Sequence, residues 1–454
     1  MSNPTVCSLM VLKSNELATT EDLALDPLSY SGNAVTAAYY HHSVALPLKS
    51  LQPLVYNTLS RVVLQLPAMG ATLHHAIQFI QLRDGREEEV DRLVEEQQNI
   101  GFPVRSEQVP SWRLIIAYPS GRSTISDMVA CFVVGASAKD QLCAVEFHRS
   151  FLAALLLANE AKLSIQPSEY LSPKDSKGLS GISTSRPGKQ TSHIQRHSRF
   201  KTVKLGTADT ACLLVGCLSR KIDITGVMQA VLAASLFANL TSEFSTLHTA
   251  GQILPSGTIK KSPVRIPCSR YIAIHNRAQG WPVASIWSEA RRIHTASKAE
   301  LSGKPRSSSL IGVLRREGGS SLFNTNDNEE TSEVSVAVSS VGSFRDPKSP
   351  ESQEQGEWNI GRMISSNDSN DIGAALRITL VVGGDGCLTM GFSWLEGVTQ
   401  EVWLDRVIVT MKRLTRELLR NNGGPETKPM TPETLPWGGS VSRLVCVVRD
   451  LILD

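Results

Sequence analysis

The sequence predicts an α/β protein of two lobes. Three observations carry this reading. Short β-branched or aromatic apolar runs alternate with stretches whose apolar residues recur at helical spacing. A segment rich in Ser, Lys, Gly and Pro, Leu171 to His197, has almost no large apolar residue and reads as a connector. The length of 454 residues suffices for two hydrophobic cores. The expected division is an N-terminal lobe over residues 1–170, a connector over 171–199 and a C-terminal lobe over 200–454.

In the first lobe, Leu51, Leu54, Val55, Leu59, Val62 and Val63 form one helical stripe that Pro67 ends. Trp112 to Tyr118 and Met128 to Val134 read as neighbouring buried strands, separated by the turn-forming Pro119-Ser120-Gly121. Gly135 to Gln141 breaks the pattern, and Cys143 to Ala161 has the length and composition of a helix lying on the sheet. In the second lobe, helices are expected from about Thr225 to Leu240, within Pro282 to Lys298, and from Gln400 to Arg420, where Asn421-Asn422-Gly423-Gly424 ends the last. Strands are expected at Glu333 to Val341, Ala374 to Val382 and Leu388 to Trp394. The Gly383-Gly384-Asp385-Gly386 run between the last two is a hairpin signal; a phosphate loop would open a helix, and here a strand follows.

Composition narrows the function classes. Hydrophobic residues make up 41% and charged residues 20% of the chain, as in ordinary globular proteins, and the net charge is +3 with no basic stripe, which argues against nucleic acid. Apolar runs such as Phe151 to Ala158 fall well short of the roughly 20 residues of a membrane span, and Met1 to Ser14 lacks a secretory pattern, so a cytoplasmic location is the expectation. The eight cysteines are scattered, mostly in apolar stretches, without zinc spacing, so no metal and no redox cofactor is expected.

The segments LQPLVYNTLSRVVLQLPAM, PSWRLIIA, FHRSFLAALL, RIPCSRY, SIWSEARRIH, VSVAVSSVGSF and LTMGFSWLEGV, in this order, resemble the fungal alcohol acetyltransferase-like family. That family is part of the superfamily of chloramphenicol acetyltransferase and peptide-synthetase condensation domains. The resemblance runs from about Ser29 to Leu419 and implies a two-lobed chloramphenicol-acetyltransferase-like fold with a tunnel between the lobes. It also implies a catalytic H-H-x-x-x-D-G loop after a strand, whose second histidine deprotonates the acceptor hydroxyl. Aligned through Phe147-His148-Arg149-Ser150, that motif falls on Gly135-Ala136-Ser137-Ala138-Lys139-Asp140-Gln141. The aspartate is kept; Gly135 stands at the first histidine, Ala136 at the second, catalytic one and Gln141 at the glycine. An alanine methyl accepts no proton, and general-base assistance is worth roughly 100-fold to 10,000-fold in rate.

Three functions of different class follow. In the first, the loop is kept as structure and the chain is a cofactor-independent cyclase or isomerase of Diels–Alderase type, holding a terpenoid or polyketide in one reactive conformer between the lobes. Gln141 then hydrogen-bonds a substrate carbonyl. In the second, the chain remains an O-acyltransferase on a secondary-metabolite alcohol, with acyl-CoA as co-substrate and a substitute base. In the third, it is a non-catalytic binding or docking protein. The candidate catalytic residues are Gln141 and Asp140, the latter also readable as a loop-holding ion-pair partner. Ala136, Ser137, Ser339, Ser340, Arg362 and Trp394 are candidate substrate-binding residues, with Trp394 equally readable as strand packing. His41-His42 and His74-His75 imitate the missing motif without its aspartate and read as non-catalytic, and His148 reads as a satisfied structural histidine. A monomer is implied by the resemblance.

Overall fold

In the computed structural model, the described residues are 33–66, 69, 76–83, 85–102, 111–135, 144–160, 197–253, 269–277, 281–301, 336–344, 358–367 and 374–421. The first lobe is built on a five-stranded sheet, order β2-β3-β4-β1-β9. Its strands are β1 (Ala34–Pro47), β2 (Ile77–Leu82), β3 (Trp112–Pro119), β4 (Thr124–Val134) and β9 (Trp358–Asn367). All pairs are antiparallel except β2 with β3. Alternate residues face opposite sides. Ala38, Tyr40, Trp112, Leu114, Ile116 and Phe132 meet helices α1 (Leu51–Gln65) and α3 (Ala144–Glu160) on one side. On the other, Val35, Ala37, Ile115, Cys131 and Val133 meet Val90, Leu93 and Val94 of α2 (Glu87–Asn99). The buried stripe of α1 is Leu51, Val55, Leu59 and Val62, as its spacing predicts.

The second lobe is a six-stranded mixed sheet, order β5-β11-β10-β8-β6-β7. Its strands are β5 (Ser198–Leu205), β6 (Thr246–Ile253), β7 (Ser269–Asn276), β8 (Val336–Ser343), β10 (Leu376–Val382) and β11 (Leu388–Leu395). Helices α5 (Ile224–Asn239), α6 (Val283–Leu301) and α7 (Glu401–Arg420) cover it, with α4 (Thr207–Ser219) beside them. The α7 stripe of Leu404, Val407, Ile408, Met411, Leu414 and Leu418 is the buried face expected from the sequence. Among the described residues no single helix is long and apolar enough to cross a membrane; α4 and α5 together have the composition but meet at 107°. From Gly226 to Phe237, α5 is buried throughout. Of the cysteines, Cys131, Cys217 and Cys387 are buried, whereas Cys212 is on the exposed face of α4.

The chain order and the sheet order part company at one strand. β9 follows the connector in sequence yet pairs with β1, so the second half of the chain supplies the last strand of the first sheet. β9 then lies against the β10–β11 hairpin at backbone distance. A Cβ on Gly391 would stand 2.2 Å from the Ser365 carbonyl oxygen, and one on Gly384 would stand 2.1 Å from that of Ile360. Only a residue without a side chain permits that approach. The hairpin turn itself closes through the Gly383 N–H to the Cys387 carbonyl at 3.0 Å, with Gly386 at φ +73°, as the glycine-rich run predicts.

Candidate functional site at the seam between the lobes

Residues 136–143, which join β4 to α3, lie outside the described residues, and with them Ala136, Ser137, Asp140 and Gln141. Their anchors on both sides are described. The Gly135 N–H donates to the Ser111 carbonyl at 2.8 Å. A Cβ on Gly135 would be 2.8 Å from the Phe102 ring, so glycine seats the strand end against that ring. Beneath Phe102, 4.6 Å from its centroid, lies the Arg113 guanidinium. Arg113 donates to the Gln97 and Ile100 carbonyls, each at 2.8 Å, and Asn33 Nδ2 donates to the same carbonyls at 3.0 and 2.7 Å. Arg113 of β3 and Asn33, just before β1, thus satisfy carbonyls that a helix C-terminus leaves open. Burial lowers the Arg113 pKa to about 10, still far above neutrality.

Beyond residues 136–143, His148 is wholly buried one turn into α3. Its Nε2–H donates to the Thr36 carbonyl at 3.1 Å, and its Nδ1 accepts from the Tyr40 hydroxyl at 3.0 Å. A carbonyl takes only a donor, which sets the tautomer. Burial lowers the imidazole pKa to about 4. Both nitrogens are occupied, so His148 ties α3 to β1 and is not placed to move a substrate proton.

Small hydroxyls cluster near the β4 end, Thr36 and Ser365 on the face towards α1 and α3 and Ser366 on the face towards α2. Thr36 and Ser365 Oγ atoms are 3.1 Å apart, as are those of Ser366 and Ser393, and Gln98 Nε2 donates to both Ser366 and Ser393. The Gln98 Oε1 is buried without a partner. These residues come from α2, β1, β9 and β11, so both lobes contribute.

The remaining sequence candidates do not converge on one point. Ser339 is buried in β8, 3.4 Å from the Thr379 hydroxyl, and Ser340 Oγ accepts the Gly342 N–H at 3.3 Å. Trp394 is 3% exposed and belongs to the second-lobe core, which is the packing alternative. Arg362, 6% exposed, pairs with Glu87 at 2.6 Å and donates to Thr202 Oγ1 at 3.0 Å. It therefore bridges α2 and β5.

That bridge belongs to a larger ladder that sequence reasoning missed. β5 is an edge strand, and its outward N–H groups at Ser198, Phe200 and Thr202 donate to Asn99 Oδ1, Glu95 Oε2 and Asp91 Oδ2 at 2.8, 2.8 and 3.0 Å. Four helical residues rise about 6.0 Å and two strand residues about 6.6 Å, so the two periods match. The i, i+4, i+8 spacing of Asp91, Glu95 and Asn99 was the available signal. Two further histidines are engaged. His275 Nδ1 is 2.6 Å from Glu289 Oε1, and its Nε2 is 2.8 Å from Thr249 Oγ1, all within the second lobe. His294 Nδ1 pairs with Asp223, the residue capping α5. Among the described residues no group of three His, Cys, Asp or Glu converges as a metal site would require.

No protein-family model matches the sequence. A probable alcohol acetyltransferase of Aspergillus fumigatus is 25% identical over 372 residues, which are 74% of this chain and 79% of that protein. The trichothecene 15-O-acetyltransferase of Fusarium sporotrichioides superposes with a TM-score of 0.59 at 10% identity, covering 86% of this chain and 92% of that one. The first condensation domain of the calcium-dependent antibiotic synthetase gives 0.56 at 11% identity, covering 90% and 95%. The wax ester synthase/diacylglycerol acyltransferase of Marinobacter aquaeolei gives 0.52 at 15%, covering 89% and 98%. The chain therefore has the two-lobed chloramphenicol-acetyltransferase-like fold of O-acyltransferases and condensation domains, and its sequence is similar to a fungal alcohol acetyltransferase.

Proposed function

We propose that this protein is an O-acyltransferase that moves an acyl group from a thioester, acyl-CoA in the first instance, to the hydroxyl of a small secondary-metabolite alcohol. The observation that carries the reading is the similarity to an alcohol acetyltransferase along 74% of the chain, on a fold shared with a trichothecene O-acetyltransferase. In the reaction the alcohol oxygen attacks the thioester carbonyl, a C–O bond forms, the C–S bond breaks and the alcohol proton passes to the departing thiolate. The seam between the lobes, where β4 leads into residues 136–143, is the place proposed for it. Ala136 supplies no base there, so turnover rests on positioning and on a base from elsewhere.

A second reading is favoured by one observation, Gly135, Ala136 and Gln141 standing where the resembled motif has its two histidines and its glycine, while Asp140 and the following helix keep the pattern. It assigns a mass-neutral cyclisation or isomerisation of a terpenoid or polyketide, with Gln141 donating to a substrate carbonyl.

The test is to incubate the purified chain with acetyl-CoA and a panel of terpenoid and polyketide alcohols, measuring free thiol and product mass. Thiol release above a heat-killed control with a matching acetyl increment supports acyl transfer; a mass-neutral product without thiol release overturns it in favour of the second reading. Ala136→His is expected to raise acyl transfer by roughly tenfold or more, since it restores a group titrating near neutral pH.

A further inference from the structure

The histidine pair of the YYHH run acquires a role from what surrounds it. His42 sits on β1 opposite Trp358, the first residue of β9. Both side chains are 2% exposed, and their ring centroids are 4.9 Å apart. His42 Nε2 and Trp358 Nε1 are each buried without a hydrogen-bond partner, so they do not bond each other. A buried polar group left unpaired destabilises the fold. Two side by side call for a common partner.

The chemistry of that partner follows from the tautomer. Val44 presents its carbonyl oxygen to His42 Nδ1 at a very short contact and its N–H at 3.2 Å. Nδ1 cannot bond both; with the nearer group, the carbonyl, as its partner, Nδ1 carries the proton. His42 Nε2 is then a bare lone pair, an acceptor. Trp358 Nε1–H is a donor and nothing else. One acceptor beside one donor fits a guest that donates once and accepts once, which is a hydroxyl. A carboxylate or phosphate has no proton to give to Nε2, and an ammonium has no lone pair for the indole.

The strand pairing is irregular at this point. β1 pairs with β4 through His41 and resumes only at Leu46, so the ladder is interrupted beside His42, an irregularity of the kind that re-aims side chains next to sites. This place is not the seam near β4's end: Ala34 pairs with Val134, and His42 is eight residues further along β1, roughly 26 Å at 3.3 Å per residue.

We propose that His42 and Trp358 together hold one hydroxyl group, that of a water or of a small alcohol, with His42 Nε2 accepting its proton and Trp358 Nε1 donating to its oxygen. The site does not depend on the acyl-transfer reading and stands or falls separately from it.

The experiment is NMR on the full chain with 15N-labelled tryptophan and histidine. The Trp358 indole N–H is assigned by its loss in Trp358→Phe, and butan-1-ol is the probe. A saturable shift with butan-1-ol, absent in His42→Phe, identifies an alcohol site. A cross-peak from the indole N–H to water with no response to butan-1-ol identifies a held water. Either supports the proposal. An indole N–H with neither water nor alcohol contact, or a His42 Nε2 that carries the proton, overturns it. Should His42→Phe not fold, His42→Gln retains polarity at the position and is expected to shift the same resonance.

Discussion

Asp91 on α2 accepts the backbone N–H of Thr202 on the edge strand β5 at 3.0 Å, and its carboxylate also takes the Thr202 hydroxyl at 2.8 Å. With Glu95 and Asn99 it closes the open edge of the second sheet using a helix of the first lobe. Edge strands left open invite pairing with other chains. Here the same contacts hold the two lobes in one relative position.

Burial raises the Asp91 pKa from 3.8, against the lowering effects of its Thr202 hydrogen bonds and of Arg362. A carboxyl whose pKa is raised by folding contributes most when protonated, below the ordinary range, and loses that contribution as pH rises through its folded value. At neutral pH its charge is therefore a cost, while its oxygen is useful. Asp91→Asn keeps an acceptor for Thr202 and is expected to stay within about 0.5 kcal/mol of the parent or to exceed it, whereas Asp91→Ala loses about 1–2 kcal/mol. Urea unfolding at pH 7 measures both.

His148 sets a dependence on acid. Its pKa is lowered by burial to about 4 from 6.5, so the unfolded chain takes up a proton as pH falls through 6.5 and the native chain does not until about 4. The contribution is whole above pH 6.5 and is lost downward across that window, roughly 3 kcal/mol in all at 1.36 kcal/mol per unit. His148→Gln can still donate to the Thr36 carbonyl and does not titrate. The difference between the two stability–pH curves is expected to shrink from pH 7 to 4.

Gly391→Ala places a methyl 2.2 Å from the Ser365 carbonyl oxygen, a backbone atom that cannot turn aside. A loss of about 3 kcal/mol or more, or failure to fold, is expected. Gly361→Ala is the control: its Cβ would meet the Tyr39 carbonyl at 4.0 Å, an ordinary contact, and the change is expected to cost less than about 1 kcal/mol. Thermal melts of the pair test whether the seam between β9 and β11 depends on the missing side chain.

Glu289 is held by Arg292 at 2.6 and 2.8 Å and by His275 at 2.6 Å. Burial alone would raise its pKa; these bonds overcome it and bring the carboxyl to about 2 from 4.5. The stabilisation is present above pH 4.5 and is lost as pH falls towards 2. Glu289→Gln is expected to cost about 1–2 kcal/mol at pH 7, discounted for its partly solvated arginine partner, and much less near pH 2.

Much of the fold was legible in advance because apolar periodicity is local. The stripes of α1 and α7 and the runs of β3, β4, β10 and β11 mark their own buried faces by pattern. Helix α2 escaped notice because EEEVDRLVEEQQN buries Val90, Leu93, Val94 and two glutamines while keeping charge on the rest. Strand β9 escaped because WNIGRMISSN mixes serines and an arginine into a buried strand, its polar groups answered by residues far away in sequence. Of the candidate site, residues 136 to 143 lie outside the described residues, whereas Arg362 and Trp394 look alike in sequence and separate in space, one to the α2–β5 bridge and the other to a core.

The sequence by itself determined the α/β character, the two lobes, and the principal helices and strands. Only the tertiary structure decided that β9 joins the first sheet, that α2 closes the β5 edge, that His148 is occupied on both nitrogens and that His42 is not. The physical reason is separation along the chain. Burial of a stripe is dictated by neighbours three and four residues away, but whether a polar atom finds a partner depends on residues such as Thr36 and Ser365, 329 positions apart, which only the folded chain brings together.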